Sequence, residues 1–168
     1  MNTLFRLAVM EDLPSLLQLE EQCFTTDRLN SRSFQWMITR AHGELLVAQC
    51  GEHLLGYAVV LFHRGTSLAR LYSIAIAAQA RGNGLGKQLL DRVEASALEH
   101  NCAYLRLEVR IDNPAAISLY ERNGYRRFAL IHDYYQDHVD ALRLEKRILE
   151  HRSAMGSSKR CAVLGGTN

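Results

Sequence analysis

The stretch that decides the fold runs from Leu68 to His100: LARLYSIAI at 68–76, a short turn, RGNGLGK at 81–87, and a helix-periodic run from Leu85 to His100. An apolar strand that turns through alternating glycines into a helix start makes a phosphate-sized nest. Gly82, Gly84 and Gly86 admit backbone angles closed to other residues and keep side chains out of a ligand's approach. The N–H groups around Asn83 and Leu85 then point outward at the positive end of the helix dipole, with Arg81 and Lys87 flanking. A Walker loop needs Gly-x-x-x-x-Gly-Lys followed by Ser or Thr, whereas Gln88 follows Lys87 here. A dinucleotide fingerprint opens the first strand–helix unit of its domain, whereas this nest follows several strands. The pattern that fits is Arg-x-x-Gly-x-Gly. Glycine-rich turns also serve as plain connectors, so the weight falls on what comes next.

Downstream stand Leu107-Glu108-Val109-Arg110, then Asn113-Pro-Ala-Ala-Ile-Ser-Leu-Tyr120, then Asn123-Gly-Tyr125. With the glycine loop these runs resemble the GNAT acetyltransferase superfamily over about residues 3 to 149. Within it, Tyr134-Tyr135 and Asp140-Ala141 are similar to the ribosomal-protein-alanine N-acetyltransferase branch. The resemblance implies an α/β fold with a mixed, mostly antiparallel sheet flanked by helices. It also implies acetyl-CoA as co-substrate and a primary amine, foremost a protein N-terminal α-amine, as acceptor. Arg81 to Lys87 takes the place of the pyrophosphate loop. Asn113 and Tyr120 belong to a second cofactor segment, and the backbone of Ile74, Ala75 and Ile76 to the strand that meets the pantetheine. Glu108 stands where the family has its general base and Tyr120 where it has its general acid. Phe24, Tyr134 and Tyr135 fall on the acceptor wall.

Composition agrees with one such domain. A chain of 168 residues, 48% hydrophobic and 23% charged, is long enough for one core and short for two. A net charge of +2 without a basic, aromatic-interleaved cluster argues against a nucleic-acid surface. No apolar run reaches the roughly 20 residues of a membrane span. The spacing of Cys23, Cys50, Cys102 and Cys161 matches neither a zinc site nor a redox pair. The seven histidines show no metal-ligand spacing, the loop from His132 to His138 reading as solvated. The expectation is a cytoplasmic enzyme that uses no metal and touches neither membrane nor nucleic acid. From His151 the chain turns glycine- and serine-rich, and residues 150–168 read as a disordered tail.

Periodicity supplies the remaining elements. Phe5 to Val9 alternates as a strand; Asp12 and Ser31 stand as caps of two helices, the second turning Phe34, Met37, Ile38 and Ala41 inward with Trp36 beside them in the core. Glu44–Cys50 and Leu54–His63 read as strands ahead of Leu68–Ile76. Leu85, Leu89, Val93 and Ala97 line one helix face. Tyr104–Arg110 is a strand, Pro114–Arg122 a helix capped by Asn113, and two strands near 125–131 and 139–148 close the domain.

Along Leu105 to Arg110 alternation puts Arg106, Glu108 and Arg110 on one face. From alternation alone, Glu108 reads as a solvated carboxylate paired with Arg106 or Arg110; the flanking cofactor motifs turn the reading towards catalysis. Tyr120, two helical turns from Asn113, has a core tyrosine as its plain reading. Ser73 or Ser118 as nucleophile lacks a positioned histidine motif. Acetylation of a small-molecule amine or a lysine stays open as an alternative, as does a non-catalytic acyl-CoA-binding module.

Overall fold

The computed structural model describes residues 2–149; Cys161 and the tail expected to be disordered lie outside them. Strand β1 (Leu4–Leu7) leads through a 3-10 turn into helices α1 (Leu13–Cys23) and α2 (Ser31–Thr39). Strands β2 (Gly43–Cys50), β3 (His53–Phe62) and β4 (Leu68–Ile76) follow, then α3 (Leu85–Glu99), β5 (Tyr104–Arg110), α4 (Pro114–Arg122), β6 (Arg126–Ile131) and β7 (Ala141–Arg147). The seven strands form one sheet in the order β1-β2-β3-β4-β5-β7-β6. Every neighbouring pair is antiparallel except β4 and β5, whose parallel run requires a crossover, supplied by α3.

Both faces of the sheet are covered, which explains why β3 is buried without alternation from Gly56 to Val60. Successive side chains point to opposite faces. Tyr57 meets Phe34 of α2 edge-on at 5.5 Å, whereas a side chain at Gly56 would meet Leu89 of α3. The first two helices therefore lie on one face and α3 on the other. The expected inward face of α3 holds, with Leu85, Leu89, Val93 and Ala97 all buried. In β5, Leu105, Leu107 and Val109 are buried in alternation with Arg106, Glu108 and Arg110.

Several local expectations are corrected. The cap of α2 is Asn30, whose Oδ1 accepts from the Ser33 N–H at 2.9 Å, one residue earlier than Ser31. Asp12 does not cap α1 with its side chain; its carboxylate accepts from Arg6 at 2.7 and 2.8 Å and from the Val9 N–H, tying β1 to the turn that follows. That strand ends at Leu7, short of Val9. Trp36 is 48% exposed rather than core, because Phe34 and Met37 already fill the helix's inward stripe.

Strands β4 and β5 pair only where Leu68, Ala69 and Arg70 meet Tyr104, Leu105 and Arg106. Beyond Arg70, β4 keeps its partner β3 through Ile76 and β5 keeps β7 through Arg110, so the two diverge. A register shift between Val59 and Val60, opposite Tyr72, bends β4 where the divergence begins. The result is a wedge with one unpaired backbone edge on each side.

Candidate active site

At one end of the wedge stands the glycine nest. Gly82 and Gly84 have φ values of 81° and 78°, in the left-handed region, and a Cβ at either would meet open space. Gly84 is the N-cap of α3 without any side-chain cap, so the first N–H groups of the helix are not covered from within the fold. Gly86 serves packing instead, since a Cβ there would lie 3.2 Å from Leu119; its lack of a side chain lets α3 and α4 approach. The two flanking cations are engaged elsewhere. The Arg81 Nε donates to the Ile76 carbonyl at 3.0 Å and Nη2 lies 3.7 Å from the Cys23 Sγ, while Lys87 pairs with Asp91 at 2.9 Å.

Helix α4 borders the wedge next to β5. Asn113 caps it through Oδ1 to the Ala116 N–H at 3.2 Å, ahead of Pro114 at the first position. Tyr120 is 4% exposed, yet its hydroxyl makes no hydrogen bond to a described residue. Burial, and secondarily the nearby Tyr135 phenol, push Tyr120 well above the ordinary tyrosine range, so it keeps its proton. Tyr125 anchors the end of α4 by donating to Glu94 of α3 at 2.8 Å.

At the apex of the wedge lies Glu108, with its side chain 6% exposed. Its partners are not Arg106 or Arg110. Arg70 of β4 reaches Oε2 through Nη2 at 2.8 Å, and Arg143, directly opposite on β7, reaches Oε1 through Nε at 3.0 Å. Arg106 is committed to Glu145, and Arg110 to Asp112 and Asp137. Arg70 also donates to the Tyr134 hydroxyl at 2.9 Å, which draws the loop between β6 and β7 over the carboxylate. The Tyr134 and Tyr135 rings meet edge-on at 4.9 Å, and the Arg110 guanidinium lies 4.9 Å from the Tyr135 ring centre. Burial pushes the Tyr135 phenol up as well, with Tyr134 adding to the shift and Arg110 opposing it.

The two loops expected to form an acceptor wall touch each other. Asp27, in the left-handed region at φ 56°, accepts from the Gln136 N–H at 3.2 Å, and the Gln136 side chain accepts from the Asp27 N–H at 3.3 Å. Phe24 is half-buried against the core at the end of α1. Beneath this loop lies a polar network that periodicity did not flag. Glu20, 2% exposed, accepts from the Tyr57 hydroxyl and from the Leu29 N–H at 3.1 Å, and Tyr57 shares a 2.8 Å hydrogen bond with Ser73 of β4. Desolvation raises the Glu20 carboxyl above its ordinary value against the pull of those hydrogen bonds. The network fixes the loop to the strand that borders the wedge.

His132 and His138 pair with Asp140 and Asp133 on the exposed loop. Among the described residues no group of three or more His, Cys, Asp and Glu is arranged to hold a metal ion, and no helix is long and apolar enough to cross a membrane. A surface concavity of about 470 Å³ on the outer side of α4, lined by Pro114, Ile117, Ser118 and Glu121, includes neither Glu108 nor Tyr120.

The chain is similar to known proteins in sequence and in fold. The acetyltransferase (GNAT) family pattern fits residues 11–125. An uncharacterized N-acetyltransferase of Methanocaldococcus jannaschii is 31% identical over 140 residues, covering 82% of this chain and 86% of that protein. The ribosomal-protein-alanine N-acetyltransferase from Brucella melitensis superposes with a TM-score of 0.74 at 25% identity, covering 86% of this chain and 99% of that one. The ribosomal-protein-S18-alanine N-acetyltransferase from Escherichia coli gives 0.78 at 23% identity, covering 88% and 94%.

Proposed function

We propose that this chain, which belongs to the acetyltransferase (GNAT) family and is an acetyl-CoA-dependent N-acetyltransferase, acts on the α-amine of a protein N-terminus, with the ribosomal-protein-alanine N-acetyltransferases as a precedent. The observation that carries the reading is the buried Glu108 at the apex of the wedge, beside the open β4 edge, with the buried Tyr120 on the helix that follows its strand. A non-catalytic binding module has no use for a buried phenol that lacks a hydrogen-bond partner.

The chain fits an acyl-CoA in three respects: left-handed glycines and an uncapped helix start for the pyrophosphate, an unpaired strand edge for the pantetheine, and an unspent hydroxyl for the sulfur. When bound, acetyl-CoA supplies an acetyl thioester. Strand N–H groups at Ile74 to Ile76 that face the wedge stabilise charge developing on the acyl oxygen, an effect worth about 3 kcal/mol for one well-aimed donor. The acceptor nitrogen forms its bond to the acyl carbon as the carbon–sulfur bond breaks. Glu108 takes the amine proton through a water, since each of its oxygens already accepts from a guanidinium and one contact must loosen for a proton to arrive. Tyr120 donates to the departing thiolate and regains its proton from solvent. Its raised pKa makes it a hydrogen-bond donor first and a complete proton donor only as the thiolate loses its own solvation.

An α-amine has a pKa of about 7.7 to 8.0 and is partly neutral at pH 7, so a base held by two cations suffices; a lysine near 10.4 asks for more. Phe24, Tyr134 and Tyr135 frame the entering peptide. The test is acetylation of a peptide that begins with a small residue. Turnover should vanish when the α-amine is blocked and survive removal of internal lysines. Equal turnover of the blocked peptide, or preference for a free polyamine, defeats the reading.

A further inference from the structure

The Arg70–Glu108–Arg143 cluster has one more positive than negative charge, on side chains only 30%, 6% and 33% exposed. Each guanidinium has five N–H donors. Arg143 spends Nε on Glu108, so the four hydrogens of its two terminal nitrogens have no partner among the described residues; the same holds for the two on Nη1 of Arg70. The Tyr134 hydroxyl accepts from Arg70, which leaves its own hydrogen to donate. These unspent donors surround a carboxylate at the apex of the wedge. Charge around them is otherwise balanced or negative: Arg106 is neutralised by Glu145, and Arg110 is outnumbered by Asp112 and Asp137. The positive excess is thus confined to the floor, below a rim that carries acids.

We propose that Arg70, Arg143 and Tyr134 form a carboxylate-binding site in the acceptor pocket, and that the enzyme selects peptides with an acidic side chain within their first two residues. The inference rests on the N-terminal acceptor proposed above. Its chemistry is the geometric match of planar guanidinium donors to a carboxylate, which a lysine point charge does not reproduce. It also meets a need of the reaction. When Glu108 takes the amine proton, the cluster passes from one excess positive charge to two at close quarters; an acceptor carboxylate bound to the same guanidiniums offsets that rise. An acidic residue farther along the peptide reaches only the rim, where Asp112 and Asp137 repel it.

The experiment compares kcat/KM for peptides identical except for Glu, Gln or Lys at the second residue, with a parallel series at the first, and includes alanine and alanine amide as free acceptors. The expected order is Glu over Gln by about tenfold, or 1.4 kcal/mol, with Lys slowest. Arg143→Gln and Arg70→Gln should each shrink the Glu-to-Gln ratio towards one, and Arg143→Lys should restore part of it. A merely structural defect lowers both rates and leaves the ratio in place, so the ratio is the readout if a variant is less stable. Equal rates for Glu and Gln peptides in the native protein overturn the carboxylate site and leave the N-terminal reading standing. So does an unchanged ratio in both Gln variants. If no peptide reacts while alanine does and alanine amide does not, the N-terminal reading falls and the carboxylate site stands.

Discussion

The two ends of the β4–β5 wedge are built from different materials. The nest end is backbone: left-handed glycines, an uncapped helix start, and cations turned aside to Ile76 and Asp91. The apex end is side chain: one carboxylate between two guanidiniums, a tyrosine held over it, and a buried glutamate fastening the loop above. A backbone site tolerates change in its neighbours and fails when a φ angle is lost. A side-chain site fails residue by residue, because each member is another's only compensation for burial. On the proposed function the contrast also divides their roles: the co-substrate common to a whole family would meet main chain, and the acceptor would meet side chains from three strands and the loop between β6 and β7.

The sharpest way to break that division is at the chemistry. Glu108→Gln and Tyr120→Phe should each lower kcat by roughly 10²-fold or more while acetyl-CoA affinity measured by calorimetry hardly moves. Normal turnover by both variants removes these side chains from catalysis and leaves Glu108 as a structural counter-ion.

Next in size is the nest itself. Gly84→Val should weaken acetyl-CoA binding about tenfold, or 1.4 kcal/mol, in a protein that still folds; its Cβ meets nothing, so the stability cost is the backbone strain alone, about 1–2 kcal/mol for a side chain at a left-handed φ. Gly86→Val should lower stability by about 1–3 kcal/mol through the collision with Leu119. If Gly84→Val binds normally and Gly86→Val does not, the working N–H groups lie one turn later than assigned.

A smaller effect concerns the buried staple. The fold raises the Glu20 carboxyl, so the native state binds a proton more readily than the unfolded chain over the interval between their two pKa values. Stability from this group is therefore full below the ordinary glutamate value of about 4.3 and is lost as pH rises through the native value. Measured against Glu20→Gln, which does not titrate, the native protein's melting temperature should lose ground as pH rises through that window. A difference independent of pH would show that the hydrogen bonds from Tyr57 and Leu29 cancel the desolvation.

The least effect belongs to the strap between the two loops. Asp27→Ala removes long, exposed hydrogen bonds to Gln136 and should raise the acceptor KM about two- to threefold, within the 0.5–1.5 kcal/mol of an ordinary hydrogen bond, with acetyl-CoA affinity unchanged.

The same contrast explains what could be read in advance. The nest, the α4 cap and the buried face of α3 are local: glycines, Asn-Pro and a 3.6-residue period announce them within a dozen residues, and the element order and mixed sheet follow. The partners of Glu108 were not legible, since Arg70 and Arg143 stand 38 and 35 residues away and meet it only through strand register. Arg70 amid LARLYSIAI is the faint signal, a charge in an otherwise apolar strand, whereas Arg143 in ALRLEKR is one charge among several and gives none. Glu20 is hidden likewise, 37 residues from Tyr57 in a helix whose polar positions look solvent-facing. Asn30 displaces Ser31 as cap because both are good caps and only the entering backbone decides.

The three-pair parallel run between β4 and β5 also has a mechanical meaning. Among the described residues it is the only backbone ladder between a four-stranded antiparallel arm, β1 to β4, and a three-stranded one, β5 to β7. The sheet has a tear line. Amide hydrogen exchange should sort the strands into two cooperative blocks that open against each other at less than the global unfolding free energy, with Leu68 to Arg70 among the first protected strand amides to be lost. Arg70, bonded to Glu108 just past the last rung, is the rivet that stops the tear from spreading. Any ligand that grips both arms lengthens the seam, so the loaded protein should exchange more slowly across the whole sheet than contacts at the wedge alone account for.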